Sequence, residues 1–309
     1  MNRTAALSVA ATVAIACQDG LAPTTVATRS PSAGYGHSNT DGTIAFRTSL
    51  EGNDDVWIMA ADGTSLTNLT RHPAFDGAPD WAGNGKQLVF LTNRDGGSGV
   101  LDIYRMNADG TGLTRLTPTS EIVRGPRFSP NGKQIVFERA VFPSAQFELF
   151  IMNADGTGES NITNNPGDDI LATWSPDGQQ IAFVSNRSGV NEIYVMNADG
   201  SDATQLTHLN GSLGILLAYL AWAPGGKQIA FAATDAQQSL FVMNADATGL
   251  TEVIDFGTTI TGIDWSPNGK QIVVALGLTT SDIYKLNADG TGLTRLTFNG
   301  TSAEPSWTR

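Results

Sequence analysis

The chain has 309 residues, 40% of them hydrophobic and 16% charged, enough for one large or two ordinary globular domains. Its 34 glycines and an aromatic share of only 8% suit a turn-rich all-β protein better than a helical one. A net charge of −12 argues against a nucleic-acid partner and against an anionic membrane surface, because both are held chiefly through Lys and Arg.

The first segment, MNRTAALSVAATVAIAC, carries one positive charge at Arg3, an uncharged small and apolar run from Thr4 to Ala16, and then Cys17. Residues 1–16 therefore read as an export signal peptide. The Ile-Ala-Cys ending resembles a bacterial lipobox, with Ala14 where that pattern prefers Leu. The resemblance implies that Cys17 is lipidated and anchors the mature lipoprotein in the bacterial cell envelope, on the periplasmic side or at the surface. An ordinary leader followed by an incidental cysteine is the alternative. Cys17 is the only cysteine, so no disulfide within the chain is possible. No later segment reaches the ~18 apolar residues a spanning helix needs. Residues 17–41 are rich in Ser, Thr, Ala, Pro and Gly without an apolar period and read as a flexible tether.

From residue 42 to 309 the chain repeats itself. A large aromatic followed by a turn recurs at intervals of roughly 45 residues, at Trp81, Phe128, Trp174, Trp222, Trp265 and Trp307. A second marker keeps step with it: an Ala-Asp turn whose aspartates are Asp62, Asp109, Asp155, Asp199, Asp246 and Asp289. Within a unit, Gln134-Ile135-Val136-Phe137 and Glu192-Ile193-Tyr194-Val195-Met196 are short, β-rich and bounded by Pro, Asn, Asp and Gly, which is strand and turn chemistry. A third segment such as Leu113-Thr114-Arg115-Leu116-Thr117 follows each Asp-Gly turn. Counting the strand that bears the aromatic, the unit has four short antiparallel strands, the pattern of a propeller blade.

The ends predict closure. Thr43-Ile44-Ala45-Phe46-Arg47 is a second strand with no aromatic strand before it, and Glu304-Pro305-Ser306-Trp307 is a first strand with nothing after it. Together they complete one blade, so the expectation is an all-β, six-bladed β-propeller whose C-terminal strand closes the first blade and removes the open edges of an array. A linear solenoid would instead carry atypical capping repeats.

These residues resemble the WD40-like (PD40) repeat of the TolB-type propellers, whose unit reads much like WSPDGKQIAF followed by SNRxGxxEIYVMNADG and LTRLT. Ser185-Asn186-Arg187-Ser188-Gly189 through Asp199-Gly200 matches it almost residue for residue, and the resemblance runs from residue 43 to 308. TolB itself carries an α/β domain before its propeller, which the tether is too short to supply. Peptidases with a related propeller carry a hydrolase domain after it, where this chain ends on the closing strand.

The residues that could carry chemistry are mostly explained by the repeat. An aromatic in every blade beside a turn points to packing between blades. The Asn-Ala-Asp-Gly turns lack the alternating oxygen ligands and distant bidentate Glu of a helix-flanked calcium loop, and they lack the aromatic that a sialidase Asp-box needs. Arg94 and Arg187 precede Asp102 and Glu192 and are expected to pair with them, tying a loop to the next strand, as Arg47 does with Asp54 or Asp55. His37, His72 and His208 have no metal-ligand spacing. No Gly-x-Ser-x-Gly elbow, P-loop or His-Glu-x-x-His is present. The reading therefore assigns no catalytic, cofactor or metal residue.

The turns joining first to second and third to fourth strands are nearly uniform, while the other two connections vary. On the resemblance, the variable loops share one face around the mouth of the central channel, and function is expected there. The candidate binding residues are His72, Asp76, Arg124, Asp168, Asp169, Leu213, Leu216, Leu217, Tyr219 and Glu304. The long loop from His208 to Tyr219 is singled out because Leu213, Ile215, Leu216 and Leu217 are apolar within a connection. The first functional reading is a monomeric, non-enzymatic envelope propeller that docks a protein or an envelope polymer on this face. The second is a carbohydrate-active enzyme, a lyase or glycoside hydrolase, with a carboxylate site at the channel.

Overall fold

In the computed structural model the described residues are 41–95, 100–118, 121–144, 146–208, 218–234 and 238–308. Cys17, Leu213, Leu216 and Leu217 lie outside them, as do the leader and all of the tether before Asp41. The strands in chain order are β1 (Thr43–Thr48), β2 (Asp55–Ala60) and β3 (Thr67–Asn68). Next come β4 (Asp76–Trp81), β5 (Gln87–Thr92), β6 (Asp102–Asn107) and β7 (Thr114–Arg115). They are followed by β8 (Val123–Phe128), β9 (Gln134–Val141), β10 (Gln146–Asn153) and β11 (Ser160–Asn161). The fourth set is β12 (Asp169–Trp174), β13 (Gln180–Ser185), β14 (Glu192–Asn197) and β15 (Thr204–Gln205). The fifth is β16 (Ala218–Trp222), β17 (Gln228–Thr234), β18 (Gln238–Asn244) and β19 (Thr251–Asp255). The chain ends with β20 (Ile260–Trp265), β21 (Gln271–Leu276), β22 (Asp282–Asn287), β23 (Thr294–Arg295) and β24 (Ser302–Trp307).

These strands form six four-stranded antiparallel sheets, and the first of them has the order β24-β1-β2-β3. The C-terminal strand therefore closes blade 1: Trp307 lies opposite Ile44 and Ser302 opposite Thr48. Thr308 N–H donates to Thr43 O at 2.9 Å, extending the seam by one more bond.

Each blade is sandwiched between two others, which is why its middle strands read as nearly continuous apolar runs. Phe46, Phe90, Phe137, Phe183 and Phe231 occupy the same register position and are fully buried. The core is accordingly six separate layers between neighbouring blades. Ile44, Phe46, Trp57 and Trp307 of blade 1, for example, pack on Val273, Ala275 and Ile283 of blade 6. The repeated aromatics are core residues in each layer.

The turns obey their sequence. In the third-to-fourth-strand turn of blade 2, Asp109 Oδ1 accepts hydrogen bonds from Thr111 N–H (3.0 Å) and Thr111 Oγ1–H (2.6 Å), and those bonds hold its carboxyl below the usual range. The same arrangement recurs at Asp62, Asp155, Asp199, Asp246 and Asp289, so these carboxylates belong to the turns. In every blade but the fifth, the outermost strand is two residues long, shorter than its five-residue apolar segment suggests. Thr114 and Arg115 lie in register with β6 and Leu116 N–H still donates to Ile103 O at 2.8 Å, after which Thr117 turns inward and its Oγ1 accepts from Ile103 N–H at 2.9 Å.

Candidate functional site

The innermost strands β4, β8, β12, β16, β20 and β24 stand around the channel. Each slips register once against its neighbour through a bulge. In five of the six, the residue three before the aromatic takes a positive φ: Ala78 (48°), Gly125 (52°), Leu171 (57°), Tyr219 (59°) and Glu304 (55°). For a residue with a side chain this conformation costs roughly 1–2 kcal/mol. Two of these bulges are capped by a carboxylate from the preceding blade. Glu304 Oε2 accepts from Ala78 N–H at 2.7 Å, and Glu138 Oε1 accepts from Leu171 N–H at 2.8 Å.

Charged side chains interleave in the channel. Arg47 donates to Glu304 (3.1 Å) and to Asp54 (3.0 Å), and Arg127 donates to Asp80 (3.2 Å). Asp80 Oδ2 also accepts from Phe128 N–H at 2.8 Å, and Asp264 Oδ2 accepts from Trp307 N–H at 2.7 Å, so both aspartates stitch one innermost strand to the next. Tyr219 of blade 5 feels the charges of Glu304 on blade 1 and Arg127 on blade 3. Those blades alternate around the ring, a meeting that only its centre allows. Burial, with Glu304 next, raises the Tyr219 hydroxyl pKa. Burial by itself would lower the Arg127 pKa, but Asp80, Asp264 and Glu304 together hold it above its usual value.

Glu138 sits at a register position filled elsewhere by Leu91, Val184, Ala232 and Ala275, and in blade 1 by Arg47. It is buried, and that burial raises its carboxyl above the ordinary range despite the Leu171 amide and the nearby Arg124 and Arg127.

The structure divides the residues proposed from sequence. Tyr219 and Glu304 occupy bulges at the channel, whereas Arg124 starts beside a bulge on the innermost strand but is exposed and carries its guanidinium outward, 4.2 Å from the ring centroid of Phe147 on β10. Asp76 and Asp169 are fully buried and held by Arg94 and Arg187, each at 2.9 Å. Asp168 Oδ1 accepts from Phe147 N–H at 2.9 Å, and His72 N–H donates to Asp55 at 3.2 Å while its Nδ1 accepts from Ala74 N–H. These last four residues shape loops.

The ion-pair partners differ from expectation. Arg94 and Arg187 reach back to the first strand of their own blade rather than forward to Asp102 and Glu192. Asp76 lies directly opposite Thr92 in the ladder, and Asp169 opposite Ser185, so an arginine two residues later folds over a carboxylate already beside it. Asp102 pairs with Arg115 instead, and Glu192 accepts from Thr207. Arg47 does pair with Asp54.

Sequence reasoning passed over five exposed apolar residues in the variable connections: Leu50, Ile122, Phe142, Leu278 and Phe298. Phe298 is 75% exposed and Leu278 77%, and the loops that carry them are joined by a bridge between Ser281 and Thr301. Their signal is an apolar residue among turn residues, outside the repeating pattern. Among the described residues, no three His, Cys, Asp or Glu side chains are grouped to hold a metal ion.

A ring of six four-stranded antiparallel blades, with uniform turns on one face and varied connections on the other, defines a β-propeller scaffold. The family model of the TolB beta propeller domain matches residues 35–141 and 119–216, and the chain belongs to that family. Among solved structures, TolB from Acinetobacter baumannii is 20% identical with a TM-score of 0.74, over 86% of this chain and 66% of that one, just under two thirds of its length. A putative TolB from Agrobacterium tumefaciens is 18% identical with a TM-score of 0.66, over 87% of this chain and 99% of the other. Hydrazine synthase from Kuenenia stuttgartiensis is 16% identical with a TM-score of 0.72, over 87% of this chain and 46% of the other. At such identities the likeness is one of fold. No curated protein matches the chain.

Proposed function

We propose that this propeller is a non-enzymatic binding module of the cell envelope that docks a protein or an envelope polymer on its variable-loop face. The observation that carries the reading is the degree of exposure: among the described residues the three most exposed large apolar side chains, Phe142 (66%), Leu278 (77%) and Phe298 (75%), fall in the connections of that face, whereas Leu66, Leu113, Leu250 and Leu293 of the uniform turns are only 37–44% exposed. Both ends of the propeller leave from the other side. Trp307 Nε1 donates to Asp41 O at 2.7 Å and Thr43 N–H to Thr308 Oγ1 at 2.9 Å, beside the uniform turns. With residues 1–16 as the leader and 17–41 as the tether, a lipid on Cys17 would hold the chain at a membrane. Membership in the TolB propeller family supports protein binding in general.

The channel chemistry favours scaffolding over catalysis. Asp80, Asp264, Glu138 and Glu304 each accept a backbone N–H, which spends a carboxylate on structure, whereas glycoside hydrolysis needs one to act as acid and another as base or nucleophile.

The test is capture from envelope extract with the native chain, with a variant carrying Leu278→Asp and Phe298→Asp, and with Leu113→Asp as a control on an outer edge. A partner retained by the native chain and the control but lost by the double variant supports the reading; capture unchanged by the double variant overturns it. Cys17→Ala is expected to move the chain from the membrane fraction to the soluble one.

A further inference from the structure

We propose that blade 3 carries a docking site for an acidic polypeptide segment, in which Arg124 takes a partner carboxylate and Ile122 and Phe142 take the apolar side chain next to it. The inference rests on the loop-face reading above and names the chemistry of the partner.

The middle strands of blade 3, β9 and β10, are eight residues each, against six in blades 1, 2, 4 and 6, so their ladder runs further toward the loop face. The tip of this hairpin exposes Phe142 at 66%, and Ile122, on the strand alongside, is 43% exposed. Ile122, Ala140 and Phe147 form one cross-strand row: Ala140 N–H donates to Ile122 O at 3.0 Å, and Ala140 faces Phe147 in register. Arg124, two residues past Ile122, lays its guanidinium over the Phe147 ring at 4.2 Å. An apolar ledge and a cation therefore share one side of the hairpin.

Arg124 is placed unlike most arginines of the propeller. Arg47, Arg94, Arg115, Arg127, Arg139, Arg187 and Arg295 each hold a carboxylate. Arg124 is exposed and makes no direct salt bridge among the described residues, although it acts through space on the charge of Glu138, its register partner. Glu138 instead turns to the Leu171 amide. Stacking on Phe147 orients a planar fork of donors, and with Glu138 held by the Leu171 amide no carboxylate hydrogen-bonds that fork, which leaves it able to receive one in bidentate fashion. A uronate polymer could supply that carboxylate but has no apolar side chain for Ile122 and Phe142, which is why a polypeptide fits the site better.

The experiment selects a displayed library of random twelve-residue peptides on the full chain. The consensus peptide is then titrated against the native chain and the Arg124→Gln, Arg124→Lys, Phe142→Ser and Leu278→Ser variants, with an oligouronate run in parallel. Selected peptides are expected to combine Asp or Glu with an adjacent Leu, Ile or Phe. Affinity is expected to fall about tenfold or more in Arg124→Gln, as for one lost charge-assisted hydrogen bond, to fall in Arg124→Lys and Phe142→Ser, and to hold in Leu278→Ser. Peptides lost on Leu278→Ser but indifferent to Arg124 would overturn this site while leaving loop-face docking intact. Oligouronate binding that depends on Arg124, or a selection that enriches no peptide, would overturn the polypeptide assignment.

Discussion

At the scale of single residues, buried charges decide where the blades are stiff. Asp169 is fully buried, and Arg187 reaches it at 2.9 Å while stacking on Phe183 and Tyr194. Removing the cation leaves a buried carboxylate short of a partner, so Arg187→Ala is expected to lower stability by about 2–4 kcal/mol, checked by urea unfolding. Glu138 behaves in the opposite sense. Its folded pKa is raised chiefly by burial, so the charged form costs stability above that value, and the cost vanishes once pH falls below the ordinary carboxylate value of the unfolded chain. Glu138→Gln keeps an oxygen for the Leu171 amide and removes the charge. The variant is expected to be the more stable protein at pH 7, with the difference shrinking as pH falls through that interval; a constant difference would mean Glu138 is not the titrating group. Neither pair was legible in full from sequence. The arginines could be seen, but the choice between Asp76 and Asp102, or between Asp169 and Glu192, depends on which strand lies alongside, and that is a property of the ladder.

At the scale of the element, the turns were legible because their chemistry is local. Asp109 and Thr111 are two residues apart and bond to each other, so the sequence of the turn contains its own partners. The repeat also holds a natural substitution. Five blades place Gly at the residue after that Asp, with φ between 82° and 89° at Gly63, Gly110, Gly156, Gly200 and Gly290, whereas blade 5 has Ala247 at 69°. A side chain in this region is strained, so Ala247→Gly is expected to stabilise by up to about 1 kcal/mol. The converse change, Gly200→Ala, would bring a Cβ to 2.4 Å from Ile162 O and should destabilise more strongly. Paired thermal melts of the two variants would decide it. The bulges were not legible. Ala78, Leu171, Tyr219 and Glu304 share a backbone conformation but no residue type, and the caps on two of them come from a different blade.

At the scale of the whole molecule, closure could be read from sequence because a missing strand at one end and a spare one at the other are countable. Which connections vary could be read from the sequence, but not which of their side chains reach solvent. Candidate residues chosen by position, such as Asp76 and His72, turned out to hold loops, whereas Phe142, Leu278 and Phe298 stand in solvent for no reason the repeat supplies. This separation yields a prediction about stability and binding together. Trp307 is buried against Ile44, Phe46 and Val273, and its two N–H groups donate to Asp264 and Asp41. Trp307→Ala is expected to cost about 3–5 kcal/mol and to lower the melting temperature by on the order of 10 °C. Phe298→Ser, changing an exposed side chain, should stay within about 0.5 kcal/mol. Because all six core layers lie between neighbours in a closed ring, loosening the seam at β24 withdraws support from blades 1 and 6 at once, and the Trp307→Ala melt should remain a single shifted transition. A separate early phase confined to one blade would mean that the layers act independently and that the closing strand does not couple them.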